Sequence, residues 1–174
     1  LKYPKDSAGS IMTTECISLR AHMTVRECFD KIRKEAIDKE TIYTCYVTDD
    51  QKKLLGIVTV KDLLLHGYEE KVESFMEDNF IYVDTQQDKE EVANLLSKYD
   101  LLSVPVVDQE TRLVGIVTVD DALDVITEEA TEDISYINSV TPSVKPYFET
   151  STVRTYLHRL PWLLILMIGA TFTG

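Results

Sequence analysis

Positive charge and cysteine are both scarce in this 174-residue chain. It holds 18 Lys and Arg against 30 Asp and Glu, a formal net charge of −12. This charge argues against nucleic acid, and against an anionic lipid surface, as a partner of the whole chain. There are three cysteines, an odd number. They have apolar neighbours, and their spacing does not resemble that of a zinc site. We therefore expect buried thiols in a reducing compartment.

Catalytic constellations are lacking as well. The three histidines (His22, His66 and His158) are scattered, and there is neither a Ser/His/Asp or Cys/His arrangement nor a glycine-rich phosphate loop. The sequence therefore predicts that the chain is not an enzyme. It shows no N-terminal signal sequence, and Leu1 stands where a natural start would place Met, which suggests a piece of a longer protein.

An internal repeat dominates what is present. Residues 56–60 (Gly-Ile-Val-Thr-Val) recur at 115–119, a shift of 59. Further upstream Met12 matches Met76 at a shift of 64, so the first copy carries an insertion of five residues, most simply within 33–41. Self-similarity on this scale indicates one supersecondary unit used twice.

Each copy predicts the element order β-α-β-β-α. Thr24 and Asp88 are the expected N-caps of the first helices, and Thr59 and Thr118 those of the second. Strands are predicted at 17–19, 43–47, 54–58, 80–83, 104–107 and 113–117, and the first helices at 25–34 and 89–98. The side chains expected to face between the copies are Cys45, Val47, Ile57, Val104, Val106 and Ile116.

The stretch 119–134 carries seven carboxylates and neither Lys nor Arg. One apolar stripe at helical spacing predicts the buried face of an α-helix: Leu123, Ile126, Ala130, Ile134 and Ile137. Six pairs of carboxylates lie three or four residues apart. At about 0.2–0.5 kcal/mol each they carry roughly 1–3 kcal/mol of repulsion. Such a helix suits a cationic partner, although a solvated acidic face explains the charge run equally well.

The C-terminal part divides into a linker and an apolar end. Two prolines interrupt the linker and juxtamembrane segment at 138–160, where Arg154, His158 and Arg159 supply positive charge. From Leu160 onward 15 residues carry no charge, whereas a spanning helix needs about 20. Residues 161–174 are therefore predicted to be the truncated start of a first transmembrane helix, with the basic residues on the cytosolic side. A buried apolar helix is the alternative.

The repeated motif Gly-apolar-apolar-Thr-x-x-Asp, at 56–62 and 115–121, resembles that of CBS domains. The resemblance implies an α/β fold, with tandem CBS domains at 1–68 and 69–126 packed as a pseudo-two-fold pair. In that family the cleft between the copies often binds an adenine nucleotide, and the matching positions here are Thr59, Lys61, Asp62, Ile81 and Leu101. Some relatives carry an aromatic ring at the position of Leu101, so ATP binding is expected to be weak. Capping boxes are the alternative role of the Thr and Asp.

The order of CBS pair, acidic helix and Arg-Leu-Pro-Trp at 159–162 closely resembles the MgtE family of magnesium transporters. In that family the acidic helix, at 120–137 here, is a plug beneath the pore of a homodimer. Cytosolic Mg²⁺ bridges its carboxylates to the CBS domains and to an N-terminal helical domain. The resemblance implies the regulatory, cytoplasmic part of a Mg²⁺ transporter of the cell membrane, without its own N-terminal domain and pore.

The positions that match the family's Mg²⁺ ligands are all carboxylates, the ligand type that Mg²⁺ prefers. Glu90 and Asp100 lie in the second copy, where an ion would tie the helix end to the following loop. The others lie on the acidic helix: Asp121, Asp124, Glu129, Glu132 and Asp133. The alternative function is an adenine-nucleotide-sensing CBS module of another membrane transport protein, which would bind adenylate tightly and ignore millimolar Mg²⁺.

Overall fold

The two copies of the repeat fold into the same series of elements in the computed structural model, which describes residues 3–137. The first copy comprises α1 (Ala8–Ile11), β1 (Ser18–Arg20), α2 (Val25–Glu35), a 3₁₀ turn (Ala36–Asp38), β2 (Thr44–Thr48), β3 (Leu54–Thr59) and α3 (Val60–Leu65). The second comprises a 3₁₀ turn (Val72–Ser74), β4 (Val83–Asp84), α4 (Lys89–Lys98), β5 (Ser103–Val107), β6 (Leu113–Thr118) and α5 (Val119–Ile137). The predicted segments 138–160 and 161–174 lie outside the described residues.

The predicted β-α-β-β-α order is confirmed in both copies. In each sheet the first strand is parallel to the second and the second antiparallel to the third, in the orders β1-β2-β3 and β4-β5-β6. The clearest difference is β4, which spans two residues rather than the predicted 80–83. The 3₁₀ turn Ala36–Asp38 falls within the predicted insertion, and Ile37 in it is 91% exposed.

Side-chain caps begin the helices where the sequence predicts them. Thr24 and Glu27 form a capping box at α2, with the Thr24 amide donating to Glu27 Oε2 over 2.8 Å. Hydrogen bonds from the Thr24 backbone and side chain hold the pKa of Glu27 below its usual value. Asp88 caps α4 by accepting from the amides of Glu90 and Glu91. These bonds satisfy amides that the first helical turn leaves without an intrahelical partner.

The face that each sheet turns toward the other copy differs in part from the prediction. The core between the copies contains Tyr46, Leu54, Val107 and Ile116, with Ile57 packed against them. Ile57 and Ile116 are therefore correctly predicted. Cys45 and Val47 instead belong to the core beneath α2. Val104 pairs with Val117, one position away from the Pro105–Ile116 pair, so Val104 and Val106 lie on the opposite face of their sheet from Ile116.

Both faces of the inner strands are apolar, which explains the error. All five residues of β5 are buried, so the alternation of polar and apolar residues that would identify the inward face is missing.

Burial raises the pKa of the Cys28 thiol to about 11 and that of Cys45 to about 12. Those two thiols are buried as predicted, whereas Cys16 is partly exposed.

Two crossing segments join the copies. Thr13 forms an antiparallel bridge with Ile116 of the second copy, and Glu77 forms one with Ile57 of the first. Each bridge has two backbone hydrogen bonds of 2.8–2.9 Å. Each sheet is thus extended by the segment that precedes the first strand of the other copy.

The buried face of α5 differs from the predicted stripe. Ala122 and Val125 are buried, whereas Leu123 is 57% exposed and Ala130 is exposed. The helix begins directly after Thr118, whose hydroxyl donates to Asp121. The same phase holds in the first copy, where Leu63 is buried and Leu64 is 70% exposed. The side chains of Ile134 and Ile137 lie outside the described part.

No helix within residues 3–137 combines the length and the hydropathy needed to cross a membrane.

Candidate functional site

An open cleft of about 170 Å³ lies between the two copies. Its walls are mainly apolar and hydroxyl-bearing side chains: Thr44, Tyr46, Ile57, Glu77, Asn79, Phe80, Ile81, Leu101, Ser103 and Pro105. At its back the Tyr46 hydroxyl and Ser103 Oγ form a buried hydrogen bond of 2.8 Å that joins β2 to β5. Burial, partly offset by the bond to Ser103, raises the pKa of Tyr46, so the phenol stays protonated.

The structure brings two of the five predicted nucleotide residues into this cleft, Ile81 and Leu101. Thr59 lies beside it, as the register partner of Thr44, and the exposed Lys61 follows at the start of α3. Thr59, Lys61 and Asp62 do not line the cleft.

The Asp62 side chain has a structural role at the start of α3. Its Oδ2 accepts hydrogen bonds from the amide of Thr59 (2.9 Å) and from the Thr59 hydroxyl, and its own amide donates to Thr59 Oγ1 over 3.1 Å. Although burial acts to raise the pKa of Asp62, the bonds from Thr59 lower it overall. Thr59 and Asp62 therefore form a capping box, the alternative role that the sequence left open.

Sequence reasoning missed the aromatic and polar residues of the cleft. Phe80 and Tyr46 supply rings, although Leu101 does not, and Asn79 and Ser103 supply hydrogen-bonding groups. The position of Ser103 could have been found from the repeat, since it corresponds to Thr44 at the shift of 59. Nothing in the pattern indicates Asn79, because it lies in the irregular segment between the second 3₁₀ turn and β4.

The carboxylates of α5 are unequal in their surroundings. Asp121 Oδ2 accepts a 2.6 Å hydrogen bond from the Thr118 hydroxyl, which ties it to the start of the helix. A bond from Thr118, ahead of bonds from backbone amides, holds the pKa of the neighbouring Asp120 below its usual value. Asp124 is exposed one turn farther on. Glu129 and Glu132 follow along the same helix, and the Asp133 side chain lies outside the described part.

Glu90 and Asp100 lie at opposite ends of α4. Glu90 is the second residue of the helix and Asp100 the second residue after its end. Ten helical residues span about 15 Å, so one ion cannot contact both carboxylates of one chain. Among the described residues no group of three or more His, Cys, Asp or Glu side chains is close enough to hold a metal ion.

Asp100 has a clear structural role. It adopts a positive φ of 52°, and Leu101 donates to the carbonyl of Leu96 over 3.0 Å, which closes the end of α4. A residue without a Cβ suits this left-handed position best.

We expect Asp100→Gly to raise the free energy of unfolding in Mg²⁺-free buffer by about 0.5–1 kcal/mol, because the left-handed backbone is easier for glycine. Urea titration measures it. Asp100→Asn is the control, because it removes the charge and tolerates the same backbone. A loss of stability in Asp100→Gly that Asp100→Asn does not share would contradict the backbone explanation.

Comparison with known proteins identifies related chains. The profile of the CBS domain family matches residues 8–68 and 72–128. The chain is 43% identical over 173 residues to the magnesium transporter MgtE of Thermus thermophilus. The match covers 99% of this chain and 38% of that protein. It is 38% identical over 174 residues to the magnesium transporter MgtE of Bacillus subtilis, covering 100% of this chain and 38% of that protein.

A solved structure described as the cytosolic domain of the Mg²⁺ channel MgtE in complex with ATP is also similar. It has a TM-score of 0.69 and 46% sequence identity, and the match covers 71% of this chain and 50% of that one. This chain thus spans 38% of the length of the two curated relatives, both of which are named as transporters rather than enzymes.

Proposed function

Because the chain belongs to the CBS domain family and is a homologue of MgtE magnesium transporters, we propose that it is the regulatory part of a Mg²⁺ transporter or channel. In this proposal it lies on the cytoplasmic side of the cell membrane, senses Mg²⁺ through carboxylates, and gates a pore outside this sequence. It works as a homodimer, together with an N-terminal helical domain of the same protein. It carries out no catalysis.

The observation that carries the proposal is the continuity of the acidic helix with the second CBS domain. Strand β6 ends at Thr118, whose hydroxyl bonds Asp121, and α5 runs from Val119 to Ile137 without a break. Its seven carboxylates have no Lys or Arg among them up to residue 134. A cation bound to this helix would therefore act on an element that directly follows the last strand of the second CBS domain.

The proposed ligands are all carboxylates, and they are spread over different elements. Mg²⁺ keeps several of its waters and is usually bound through only one or two carboxylates rather than by a complete protein cage. Since the described residues contain no ready cage of three ligands, the proposed ions bridge carboxylates of different elements or of two chains. The proposed ligands are Glu90, Asp100, Asp121, Asp124, Glu129, Glu132 and Asp133. Mg²⁺ would supply positive charge that offsets the repulsion along α5.

We also infer that the cleft binds an adenine nucleotide weakly. Apolar walls at Phe80, Ile81 and Leu101 suit a planar base, and the related structure at 46% identity is described as a complex with ATP. Thr59, Lys61 and Asp62 would lie toward the ribose and phosphates. A nucleotide-sensing CBS module of a different transporter would differ by binding adenylate tightly without responding to Mg²⁺.

The test of Mg²⁺ sensing compares two salts on the 174-residue chain. We expect millimolar MgCl₂ to raise the melting temperature and change the hydrodynamic radius beyond the effect of NaCl at equal ionic strength. The reason is that ion binding stabilises by mass action, about 2.7 kcal/mol at one hundred times Kd. NaCl at 0.15 M still has a Debye length of about 8 Å and does not mask charges one helical turn apart. Equal effects of the two salts would rule the proposal out.

A further inference from the structure

The segment that leads into the first copy docks on the second copy. This N-terminal strap, residues 3–13, contains α1 and lies along the loop between β4 and α4. Ala8 is fully buried, and its amide donates to the Gln87 carbonyl over 2.7 Å, while the Gly9 amide donates to that of Thr85 over 3.0 Å. We propose that the N-terminal strap is a detachable coupling element. It opens while both copies stay folded, and it passes movements of the preceding chain to the start of α4.

The repeat supplies an internal comparison for this strap. Residues 67–77, the linker strap, hold the equivalent position on the first copy, at the shift of 64. There the Val72 amide donates to the Met23 carbonyl over 3.0 Å, and the Glu73 amide donates to that of Ala21 over 2.9 Å. The two straps therefore share one backbone pattern, so a difference in their opening must come from their side chains, their backbone strain or their ends.

All three of these features make the N-terminal strap the weaker one. Its buried anchor is Ala8, whereas the equivalent anchor of the linker strap is the larger Val72, and each is 0% exposed. Asp6 adopts a left-handed φ of 67°, which costs free energy in a residue other than glycine, and the equivalent Glu70 does not. The linker strap is joined to a folded copy at both ends, whereas the N-terminal strap meets the two copies only through its C-terminal end.

One ion pair and two backbone contacts join the N-terminal strap to the start of α4. Asp6 Oδ1 lies 3.2 Å from Lys89 Nζ, whose side chain is 12% exposed, and the Lys89 amide donates to the Asp6 carbonyl over 3.0 Å. Ser7 bridges Asp88, the N-cap whose carboxylate accepts from the Glu90 amide over 2.8 Å. Opening of the strap therefore releases the backbone directly before Glu90. Since the N-terminal helical domain and the ligand role of Glu90 belong to the proposed function, the coupling rests on that proposal.

Amide hydrogen exchange by NMR on the 174-residue chain, in Mg²⁺-free buffer, measures the opening of each strap. We expect protection factors at least about tenfold lower in the N-terminal strap than in the linker strap, as the loss of two buried methyl groups predicts. Urea below the unfolding transition should leave this exchange nearly unchanged, because a local opening exposes little surface. The equivalent amides to compare are Ala8, Gly9 and Lys89 in one set, and Val72, Glu73 and Val25 in the other.

Two matched variants show where the opening is felt. Asp6→Asn removes the ion pair with Lys89 and tolerates the left-handed backbone. We expect it to speed exchange in the N-terminal strap and at the Glu90 amide by about two- to fivefold, the usual effect of one surface ion pair. Glu73→Gln removes the ion pair with Lys71 in the linker strap, so it should leave the exchange of the N-terminal strap and of Glu90 unchanged.

Two outcomes would overturn the proposal. Equal protection of the two straps, or exchange of the N-terminal strap only through global unfolding, would show that it does not detach. Acceleration at the start of α2 as large as that at the start of α4 in Asp6→Asn would show general destabilisation instead of coupling to the second copy. Both measurements are made without Mg²⁺, so failure here leaves the Mg²⁺ sensor to be judged by its own salt comparison.

Discussion

Replacing Asp124, Glu129 and Glu132 together by Asn, Gln and Gln should remove most of the Mg²⁺-dependent rise in melting temperature. Each of the six like-charge pairs along 120–133 contains at least one of these three residues. The triple variant therefore relieves the whole repulsion, roughly 1–3 kcal/mol, without Mg²⁺. Asp121 is left in place because its carboxylate accepts the hydrogen bond from the Thr118 hydroxyl.

The stability of the variant relative to the parent should differ in opposite directions without and with Mg²⁺. Without Mg²⁺ the variant should be more helical and melt higher than the parent, since the repulsion is gone. With Mg²⁺ the parent should gain stability with the logarithm of the ion concentration over Kd, and the variant should gain little. Circular dichroism at 222 nm and thermal melting at constant ionic strength measure both effects.

The control removes three exposed carboxylates from other elements, by Glu40→Gln, Asp50→Asn and Glu73→Gln. It changes the net charge by the same amount, so it should keep the parent's response to Mg²⁺. If the α5 variant retains that response in full, its carboxylates form a solvated face and the proposed sensor lies elsewhere. In the complete protein the α5 variant should alter gating by Mg²⁺ and leave the ion preference of the pore unchanged.

Much of the fold was predictable because the repeat supplies each signal twice. The motif at 56–62 and 115–121 fixes two strand ends and two helix starts, and Thr59 and Thr118 both form bonds to an acid three residues later. The helix Lys89–Lys98 has its predicted bounds, since Asp88 caps its start. The resemblance to the CBS and MgtE families is confirmed by the matches of the family profile and of the relatives.

The candidate sites were less predictable than the elements. Resemblance assigned Asp62 and Asp100 to ligands, yet the structure gives the first a bond network at a helix start and the second a left-handed helix end. Local geometry of this kind is compatible with the same residue types, so a motif alone cannot separate the two roles. Whether these residues also bind ligands stays a prediction. The boundaries 1–68, 69–126 and 120–137 stay predictions as well.

The exchange of segments between the copies could not be predicted, because pairing between distant residues leaves no periodic signal. Thr13 precedes β1, the first strand of the first copy, but pairs with Ile116 in the second. The repeat does contain an indirect sign, namely the glycine that begins each motif. A Cβ at Gly115 would lie 2.7 Å from the Thr13 carbonyl oxygen, and one at Gly56 would lie 2.8 Å from that of Glu77.

Gly115→Ala should therefore destabilise the chain by about 1–3 kcal/mol, the usual cost of forcing extra volume into a packed site. The obstacle is a backbone oxygen with Met12 Sδ beside it at 2.9 Å, so no side-chain rotation can make room. The segment at Thr13 has to move away from β6, which weakens the two hydrogen bonds between Thr13 and Ile116. Urea unfolding gives the change in free energy, and hydrogen exchange should show faster exchange at those two amides.

Gly56→Ala offers an independent repetition of the experiment, since Glu77 crosses β3 in the same manner. Gly67→Ala is the control, because its nearest obstacle is the carboxylate end of the flexible Glu70 side chain at 3.0 Å and its φ is not positive. We expect it to change stability by no more than about 0.5 kcal/mol. Equal, small effects at all three glycines would show that the crossing segments do not pack closely on β3 and β6. A large loss at Gly115 and Gly56 alone would instead tie the stability of each copy to the segment that precedes the other.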